Sequence, residues 1–220
     1  MAMDPPAPAA VKPKTPFPIT IPAPMHATDG GRPFTDEANW AVEIKYDGYR
    51  TMAGIVKGEV ELRTKNGVTC SHWWPEIVGA LQKVPGGPHV VDGEAAVLVD
   101  GQSDFNKTHR RAARRGYAPG DDLVVFCAFD ILIHKGRDVM GLPYTKRKEL
   151  LSKLLVDVPG VLVVTYLPAN VQHFATLVEG FKLEGFVAKK LNSLYLPGIK
   201  SRDWLKIKRK GWNEGRNWKS

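Results

Sequence analysis

The stretch Glu43-Ile44-Lys45-Tyr46-Asp47-Gly48-Tyr49-Arg50 decides how this chain folds, because it places a lysine and a tight turn between predicted strands. The run Trp40–Lys45 has the apolar character of a strand, and Thr51–Val56 followed by Val60–Arg63 predicts a hairpin. Gly48 allows the backbone to turn sharply and to approach a ligand closely. The stretch therefore predicts a functional turn at the end of a strand.

Lys45 is the candidate nucleophile of this stretch. An amine on a strand with apolar neighbours, followed by an Asp-Gly turn and Arg50, can be held partly dry beside fixed charges. Desolvation and nearby cations both favour the uncharged amine, which is the form that attacks phosphorus. The alternative is an Asp-Gly hairpin turn with a solvent-facing lysine.

Outward from this stretch, short apolar runs alternate with turn residues. Further strands are predicted at His89–Val99 (one bent strand or a strand pair), Leu123–Ile133, Val161–Val164, Gly185–Lys189 and Trp204–Lys208. Helices are predicted at Trp74–Leu81, Lys146–Leu155 and Asn170–Phe181. Hairpins mixed with a few helices indicate an α+β domain with antiparallel sheets.

The charge balance favours a polyanionic partner. Thirty-one Lys and Arg residues against twenty-three Asp and Glu residues give a net charge of +8 and a pI near 9.4. Nucleic acid is the commonest partner of so basic a chain. The alternative is that the excess lysine only keeps the protein soluble.

Several classes of protein are disfavoured by the composition. The sequence has no apolar run of the roughly 20 residues needed to span a bilayer and no signal peptide, so no membrane partner is expected. Its two cysteines and six scattered histidines form neither a disulfide framework nor a zinc motif. We therefore expect a cytoplasmic, nucleoid-associated and bacterial protein, acting as a monomer.

Five further motifs follow Lys45–Arg50 in the chain. They are Leu62–Gly67, Val91–Glu94, Phe129–Leu132, Glu184–Lys189 and Trp204–Lys208. In this order they resemble the motifs of the covalent nucleotidyltransferases, the ATP-dependent DNA ligases and mRNA capping enzymes, whose Lys-x-Asp-Gly-x-Arg lysine carries the nucleotide. The element Phe129–Leu132 resembles the one typical of DNA ligases. The resemblance covers roughly residues 21 to 210.

This resemblance implies a fold and a set of roles. The fold would be an ATP-grasp-like nucleotidyltransferase domain with two antiparallel sheets flanked by helices. ATP would give AMP to Lys45, with Mg²⁺ or Mn²⁺ as the metal. The other contacts would come from Glu43 and Phe129 at adenine, Arg50 and Glu94 at the ribose, Glu94 and Glu184 at the metal, and Lys206 and Lys208 at the α-phosphate.

One motif departs from the family pattern. Lys65 stands where the family usually has arginine before Asn-Gly. Lysine is a point charge and cannot make the bidentate phosphate contact of arginine, so the contact to the 5′-phosphate of a nick is weaker or supplied differently. The resemblance assigns Lys65 to the nucleotide site. Arg63, which a regular strand directs to the opposite side, is carried over as a DNA contact.

A second basic cluster spans residues 107–115. Its position after Asp104-Phe105 is similar to that of a family segment that packs near DNA. Several phosphates could be neutralised here, which makes binding salt-sensitive. The predicted DNA contacts are Arg110, Arg111, Arg114 and Arg115. The alternative is a solvated loop.

Three segments are predicted along the chain. Residues 1–20 form a proline-rich mobile tail, residues 21–210 the adenylation domain, and residues 211–220 a basic C-terminal tail. In the family an OB-fold domain that orients pyrophosphate follows the last motif. We expect that domain to be absent here, since too few residues remain for a five-stranded barrel, and self-adenylation to be slow.

The function expected from the resemblance is that of an ATP-dependent DNA ligase catalytic domain in DNA repair. It would form lysyl-AMP, transfer AMP to the 5′-phosphate of a nick and seal the nick with the 3′-hydroxyl. Its partner would be nicked double-stranded DNA, and a repair protein or a separate OB-fold domain is left open. The alternatives are a nick-binding module without turnover and an RNA-joining or capping-type nucleotidyltransferase.

Overall fold

The computed structural model describes residues 17–30 and 36–211 of the 220-residue chain. Most of the two predicted tails lies outside these residues. The elements in chain order are β1 (His26–Asp29), β2 (Trp40–Ile44), β3 (Tyr49–Val56), β4 (Glu59–Thr64), α1 (Pro75–Leu81), β5 (His89–Val99), β6 (Gln102–Ser103), α2 (Phe105–Arg114), β7 (Val124–His134), β8 (Arg137–Asp138), α3 (Tyr144–Leu154), β9 (Val161–Val163), β10 (Tyr166–Pro168), α4 (Val171–Gly180), β11 (Gly185–Lys190) and β12 (Lys200–Lys208). Short 3-10 turns precede β2 and α1.

The strands form two sheets. The smaller sheet has the order β1-β12-β11-β2-β10. The larger sheet has the order β4-β3-β5-β7-β8, with β6 added to β5 and β9 added to β7. Helices α1, α2 and α3 contact strands of the larger sheet, whereas α4 contacts β11 of the smaller one. The predicted α+β class with two sheets and flanking helices is confirmed.

Two strand pairs in these sheets are parallel, whereas the other pairs are antiparallel as predicted. β1 pairs in parallel with β12, and β9 in parallel with β7. β1 has four residues and β9 has three. In neither pair do the two strands follow one another in the sequence. Parallel pairs require a long connection between the strands, so they cannot be identified from hairpin turns.

The sequence predicted either one bent strand or a strand pair over the residues of β5. His89–Val99 is one continuous strand, and its pairing with β7 shifts register between Val90 and Val91 and again between Asp92 and Gly93. Such irregularities bend a strand and redirect its side chains. The second shift lies directly before Glu94, at the position where β5 reaches the predicted site.

Helix α2 is an element that the sequence analysis did not predict. The region Phe105–Arg114 was interpreted only as a basic cluster, with a solvated loop as its alternative. The side chain of Asp104 accepts a hydrogen bond from the backbone N–H of Lys107, 2.9 Å away, and caps the helix. Asp104 could have indicated the start of a helix from the sequence, but the many charged residues that follow it favoured the interpretation as a basic cluster.

The apolar core consists of a large cluster under the larger sheet and two smaller ones. One of these packs Met25, Met52 and Trp204 together, and Phe17 and Ile19 pack against it, ahead of the predicted domain boundary at residue 21. The other lies between the smaller sheet and α4. None of the helices within residues 17–30 and 36–211 is long and apolar enough to cross a membrane.

Candidate active site

A cavity of about 360 Å³ is lined by residues of both sheets. Strands β1, β2, β11 and β12 contribute from the smaller sheet, and β3, β5 and β7 from the larger one. The lining residues are His26, Ala27, Glu43, Ile44, Lys45, Tyr46, Arg50, Glu94, Phe129, Val187, Lys189, Lys200, Trp204 and Lys206. Six of the predicted nucleotide-site residues are among them, although they come from sequence positions 43 to 206.

Lys45 lies directly after β2 and reaches into this cavity. Its Nζ is 2.6 Å from Oε2 of Glu184, and the other oxygen of this carboxylate is 3.2 Å from Nζ of Lys208. The Glu184 side chain is 3% exposed, and that of Lys45 is 22% exposed. The expectation of cations around a dry amine is therefore only partly right: a buried carboxylate contacts the amine directly, and the cation Lys208 shares that carboxylate.

Two glycines allow the backbone to pack tightly around Lys45. A Cβ on Gly48 would lie 2.2 Å from the carbonyl oxygen of Ala95, and one on Gly185 would lie 2.0 Å from that of Ile207. Gly185 also has φ +155° and accepts a hydrogen bond from the backbone N–H of Lys45 at 3.1 Å. Larger residues at either position would force the strands around Lys45 apart.

Arg50 is held in place by Asp92. Its Nε and Nη2 donate to the two oxygens of that buried carboxylate at 2.6 Å each, and the Tyr195 hydroxyl donates to the same group at 2.6 Å. The guanidinium lies 4.5 Å from the centre of the Phe129 ring. The predicted ribose residue and the predicted base-stacking residue are thus neighbours at one wall of the cavity, positioned by an aspartate that the sequence analysis did not select.

Glu43 is buried and already has three partners. One carboxylate oxygen accepts a hydrogen bond from the Tyr144 hydroxyl at 2.6 Å and contacts Lys148, and the other contacts Lys189 at 2.7 Å. Burial alone would raise the pKa of Glu43, but the two ammonium groups lower it overall. The predicted adenine-reading carboxylate is therefore ionised and held in a fixed orientation.

Lys189 lines the cavity and was not selected as a site residue from the sequence. Its Nζ lies 4.1 Å from the Trp204 ring centre, 4.7 Å from that of Phe129 and 5.0 Å from that of Tyr144. Burial lowers its pKa to about 8, against the opposing effect of Glu43. The signal was available, because Lys189 is the last residue of the motif that begins at Glu184.

Glu94 has a carboxyl group whose pKa is raised by its surroundings. Burial raises its pKa to about 7, and the nearby Lys45 and Arg50 oppose the shift, while Glu184 adds to it. Glu94 and Glu184 are the two carboxylates predicted to bind a metal. Within the described part of the chain, no group of three or more His, Cys, Asp or Glu side chains could hold a metal ion. Two carboxylates would leave most of the coordination of an oxygen-preferring ion to phosphate or water oxygens.

At the other end of the cavity, β1 and β12 form a charged edge that we call the rim, consisting of His26, Asp29, Lys200 and Lys206. The Asp29 carboxylate lies 3.1 Å from Nζ of Lys206 and 3.6 Å from Nζ of Lys200. Partial burial and the neighbouring Arg50 lower the pKa of His26, and Lys65 and Lys206 act in the same direction. Only Lys206 of this group was predicted as a site residue.

The predicted residues of the second motif lie near the rim but differ in their environments. Lys65 follows the last residue of β4 and is exposed. Its charge is close enough to act on His26. Nε of Arg63 donates to Glu61 at 2.6 Å on the same strand. Lys65 is therefore on the side of the cavity, whereas Arg63 is already paired.

The basic cluster separates into buried and exposed residues. Arg111, predicted to contact DNA, is 2% exposed and forms ion pairs with Glu76 at 2.7 Å and with Asp121 at 3.3 Å. The prediction is wrong for this residue, because its guanidinium connects α2 to the rest of the domain. Arg114 is half exposed and pairs with Asp121. Arg110 is exposed, as is Arg115, whose guanidinium lies 5.6 Å from the Trp73 ring centre.

Comparison with protein families gives a match over residues 32–208, to the family described as ATP dependent DNA ligase domain. The matched range contains Lys45 and the other predicted nucleotide-site residues. It also contains all the elements from β2 to β12, whereas β1 lies before it.

Named relatives are bacterial. The chain is 32% identical over 176 residues to the SPbeta prophage-derived DNA ligase-like protein LigB of Bacillus subtilis (strain 168), covering 80% of this chain and 63% of LigB. It is 33% identical over 192 residues to the multifunctional non-homologous end joining protein LigD of Mycolicibacterium smegmatis, covering 87% of this chain and 24% of LigD. The chain therefore spans about a quarter of that LigD and less than two thirds of LigB.

Solved structures with a similar fold include a mycobacterial DNA ligase D complexed with ATP and MES. It is 32% identical, with a TM-score of 0.75 over 86% of this chain and 60% of that one. A Chlorella virus DNA ligase-adenylate has a TM-score of 0.62 at 14% identity, covering 86% of this chain and 69% of that one, which indicates a shared fold.

Proposed function

The chain belongs to the family of ATP-dependent DNA ligase domains, and we propose that it takes AMP from ATP onto Lys45 and uses it to seal nicked DNA. The observation that carries this proposal is the pair formed by Lys45 and the buried Glu184, with Lys208 on the same carboxylate, in a cavity between two sheets. Phosphoryl transfer to an amine requires a nucleophile, a carboxylate that orients it and cations that neutralise the phosphate.

In the first step the ammonium of Lys45 loses a proton to solvent water, and the Glu184 carboxylate 2.6 Å away orients the amine that results. The amine attacks the α-phosphorus of ATP, and a phosphorus–nitrogen bond forms. The bond from the α-phosphorus to the bridging oxygen breaks, and pyrophosphate leaves with that electron pair. Lys206 and Lys208 stabilise the charge that builds on the phosphate oxygens.

The base of the nucleotide is bound at the buried end of the cavity. Phe129 offers its ring for stacking, and Arg50 and Lys189 surround the same ring. Glu43 is the acceptor for the adenine amino group, oriented by Tyr144, Lys148 and Lys189. Arg50 and Glu94 are assigned to the ribose.

Glu94 and Glu184 are assigned to a divalent cation, Mg²⁺ or Mn²⁺. Their hard oxygen atoms suit such an ion, and the limited number of protein ligands suits one that shares its coordination with phosphates. When bound, the ion would supply charge neutralisation at the phosphates. Partial burial raises the pKa of Glu94 to about 7, so its carboxylate is available for this role above neutral pH.

The later steps need DNA. AMP would pass from Lys45 to the 5′-phosphate of a nick, and attack by the 3′-hydroxyl would release AMP and close the strand. Lys65, Arg110, Arg114 and Arg115 are exposed cations that we assign to DNA phosphates. LigD relatives are named for non-homologous end joining, and we propose DNA repair as the setting of this chain too, in a bacterial cytoplasm, associated with the nucleoid and acting as a monomer.

The test is the covalent intermediate. Incubation of the full chain with ATP and Mg²⁺ should increase its mass by one AMP, and peptide mapping should locate the adduct on Lys45. The Lys45→Ala variant should gain nothing, whereas Lys153→Ala, which removes an exposed lysine of α3, should react like the wild type. Failure to form the adduct on Lys45 would refute the proposal and favour a nick-binding module.

Experiments with different substrates distinguish the enzymatic alternatives. Transfer from ATP but not GTP supports the ligase assignment over a capping-type guanylyltransferase, and matched DNA and RNA nicks separate DNA joining from RNA joining. A nick that already carries AMP on its 5′-phosphate tests the sealing step alone. We expect sealing of this substrate in Mg²⁺ even where self-adenylation is slow, because the assigned residues lie between positions 43 and 208.

A further inference from the structure

The rim is fixed by backbone pairing between two strands that are remote in sequence. His26 is the register partner of Lys200, and Asp29 that of Lys206. The backbone N–H of His26 donates to the carbonyl of Ile199 at 2.8 Å, and that of Gly30 donates to the carbonyl of Lys206 at 3.1 Å. Because both ends of β1 are hydrogen-bonded, the rim side chains lie on a rigid edge of the smaller sheet rather than on a loop.

The rim has more positive than negative side chains. Lys200 and Lys206 approach one carboxylate, that of Asp29, and the fields of Lys65 and Arg50 also reach this end of the cavity. The hydrogen bond from Lys206 is the main cause of the lowered pKa of Asp29, and Lys200 adds to it. Asp29 is 70% exposed, so these ion pairs are solvent-screened and easily replaced by another anion.

The sheet order gives the distance between the rim and the strand that precedes Lys45. From β2, which positions Lys45, the order runs through β11 and β12 to β1. At about 4.8 Å per strand, β12 with Lys200 and Lys206 lies roughly 10 Å from the strand that precedes Lys45, and β1 with His26 and Asp29 lies roughly 14 Å from it. In-line displacement places the leaving group opposite the nucleophile. Pyrophosphate would therefore extend away from Lys45, across β12 and toward β1.

We propose that the rim binds the β- and γ-phosphates of ATP, with Lys200 and Lys206 as the cations and Asp29 as the internal anion that pairs with them when no triphosphate is present. This inference rests on the proposed function. It adds that the binding site for the pyrophosphate leaving group lies in this domain. The family resemblance had placed that task in a separate OB-fold domain. His26, Asp29 and Lys200 had no predicted role.

The experiment separates binding from chemistry. In the Lys45→Ala background, which cannot form the adduct, calorimetry compares the affinities for ATP and for AMP. Adding Lys200→Gln should weaken ATP binding by about tenfold, the effect of one charge-assisted contact, and leave AMP binding unchanged. Asp29→Asn should strengthen ATP binding several-fold, because the competing carboxylate is gone. Inorganic pyrophosphate should compete with ATP in the parent and compete less well in Lys200→Gln.

The chain offers matched controls in the same sheet. Lys190 and Asp203 form an ion pair at 2.7 Å, and neither lines the cavity. Their side chains are 42% and 39% exposed, against 59% for Lys200 and 70% for Asp29. The variants Lys190→Gln and Asp203→Asn should leave the ratio of the ATP and AMP affinities unchanged. A general effect of surface charge would instead move all four variants according to the sign of the charge removed.

Two results would overturn the proposal. The first is an unchanged ratio of ATP to AMP affinity in both Lys200→Gln and Asp29→Asn. The second is a loss of nicked-duplex affinity in Lys200→Gln without any loss of ATP affinity, which would assign the rim to a DNA phosphate instead. Failure of the proposed function is distinguishable, because the wild type would then bind ATP with the expected rim dependence and still form no adduct.

Discussion

Arg110 and Arg111 are neighbours on α2 with opposite environments. The Arg110 side chain is exposed, whereas the Arg111 guanidinium is 2% exposed, contacts Glu76 and Asp121, and donates to the carbonyl of Gly116. Helical geometry rotates consecutive side chains by about 100°, so adjacent residues of one basic cluster can serve different purposes. One supports the fold and the other is available to a partner.

We expect Arg111→Ala to lower the free energy of unfolding by about 3 kcal/mol, because Glu76 and Asp121 lose the cation that compensates them in a largely buried setting. Arg110→Ala should change it by less than about 0.5 kcal/mol. Urea denaturation followed by tryptophan fluorescence measures both. Equal stability of the two variants would show that the Arg111 ion pairs contribute nothing.

At the scale of elements, β5 begins beside the turn between β7 and β8. The Nδ1 atom of His89 accepts a hydrogen bond from the backbone N–H of Lys135 at 3.2 Å, which requires a ring unprotonated at that nitrogen. The His89 side chain is fully buried, and its ring centre lies 5.2 Å from that of His134. Protonation of His89 would break the contact between two elements of the larger sheet.

This geometry predicts a pH dependence of stability. Burial lowers the pKa of His89 below its ordinary value of 6.5, so the unfolded chain binds a proton more readily than the folded one. The stabilisation is present above pH 6.5 and is lost as the pH falls through the folded pKa. In urea denaturation, His89→Gln should lose less stability than the wild type between about pH 7.5 and 5.5.

The control for this prediction is His173→Gln, which removes an exposed histidine of α4. Its pH dependence should equal that of the wild type. Since burial also lowers the pKa of His134, part of the loss should persist in the His89 variant. Parallel curves for wild type and His89→Gln would contradict the assignment.

Some helices and strands could be predicted from the sequence more completely than others. The β7 run was identified as a buried strand because β-branched and apolar residues follow one another without a polar face. The α4 prediction was nearly complete because Asn170 caps the helix by accepting from the backbone of His173. By contrast, β1 has four residues and gains its structure only from pairing with β12. A strand of this length has no periodicity of its own to detect.

At the scale of the whole molecule, the net charge of +8 predicts binding that depends on salt. The exposed cations of α2 and its C-terminal end are candidates for binding DNA phosphates. In the double variant Arg110→Ala and Arg115→Ala, the slope of log affinity for nicked duplex against log salt should fall by up to about two units, one for each phosphate that is no longer neutralised. Fluorescence anisotropy of a labelled nicked duplex gives the slope.

A charge-matched control is Lys146→Gln with Lys153→Gln, which removes two exposed lysines of α3 that pair with Glu149. Its slope should match that of the wild type. If both double variants reduce the slope equally, the binding is a diffuse response to net charge, and α2 has no special place in it. Arg111 is excluded from this test because its replacement would affect folding.

The sequence by itself predicted Lys45 as the candidate nucleophile and determined the order of the motifs, the α+β class and most of the elements, because turns, periodicity and motif spacing are properties of neighbouring residues. The tertiary structure alone decided which side chains meet. Glu184 contacts Lys45 from 139 positions away, Asp92 holds Arg50, and β1 brings Asp29 to Lys206. These contacts depend on how two sheets pack and on which charges are buried together. Arg111 was misassigned for the same reason: its charge is a property of the sequence, but its partners are a property of the fold.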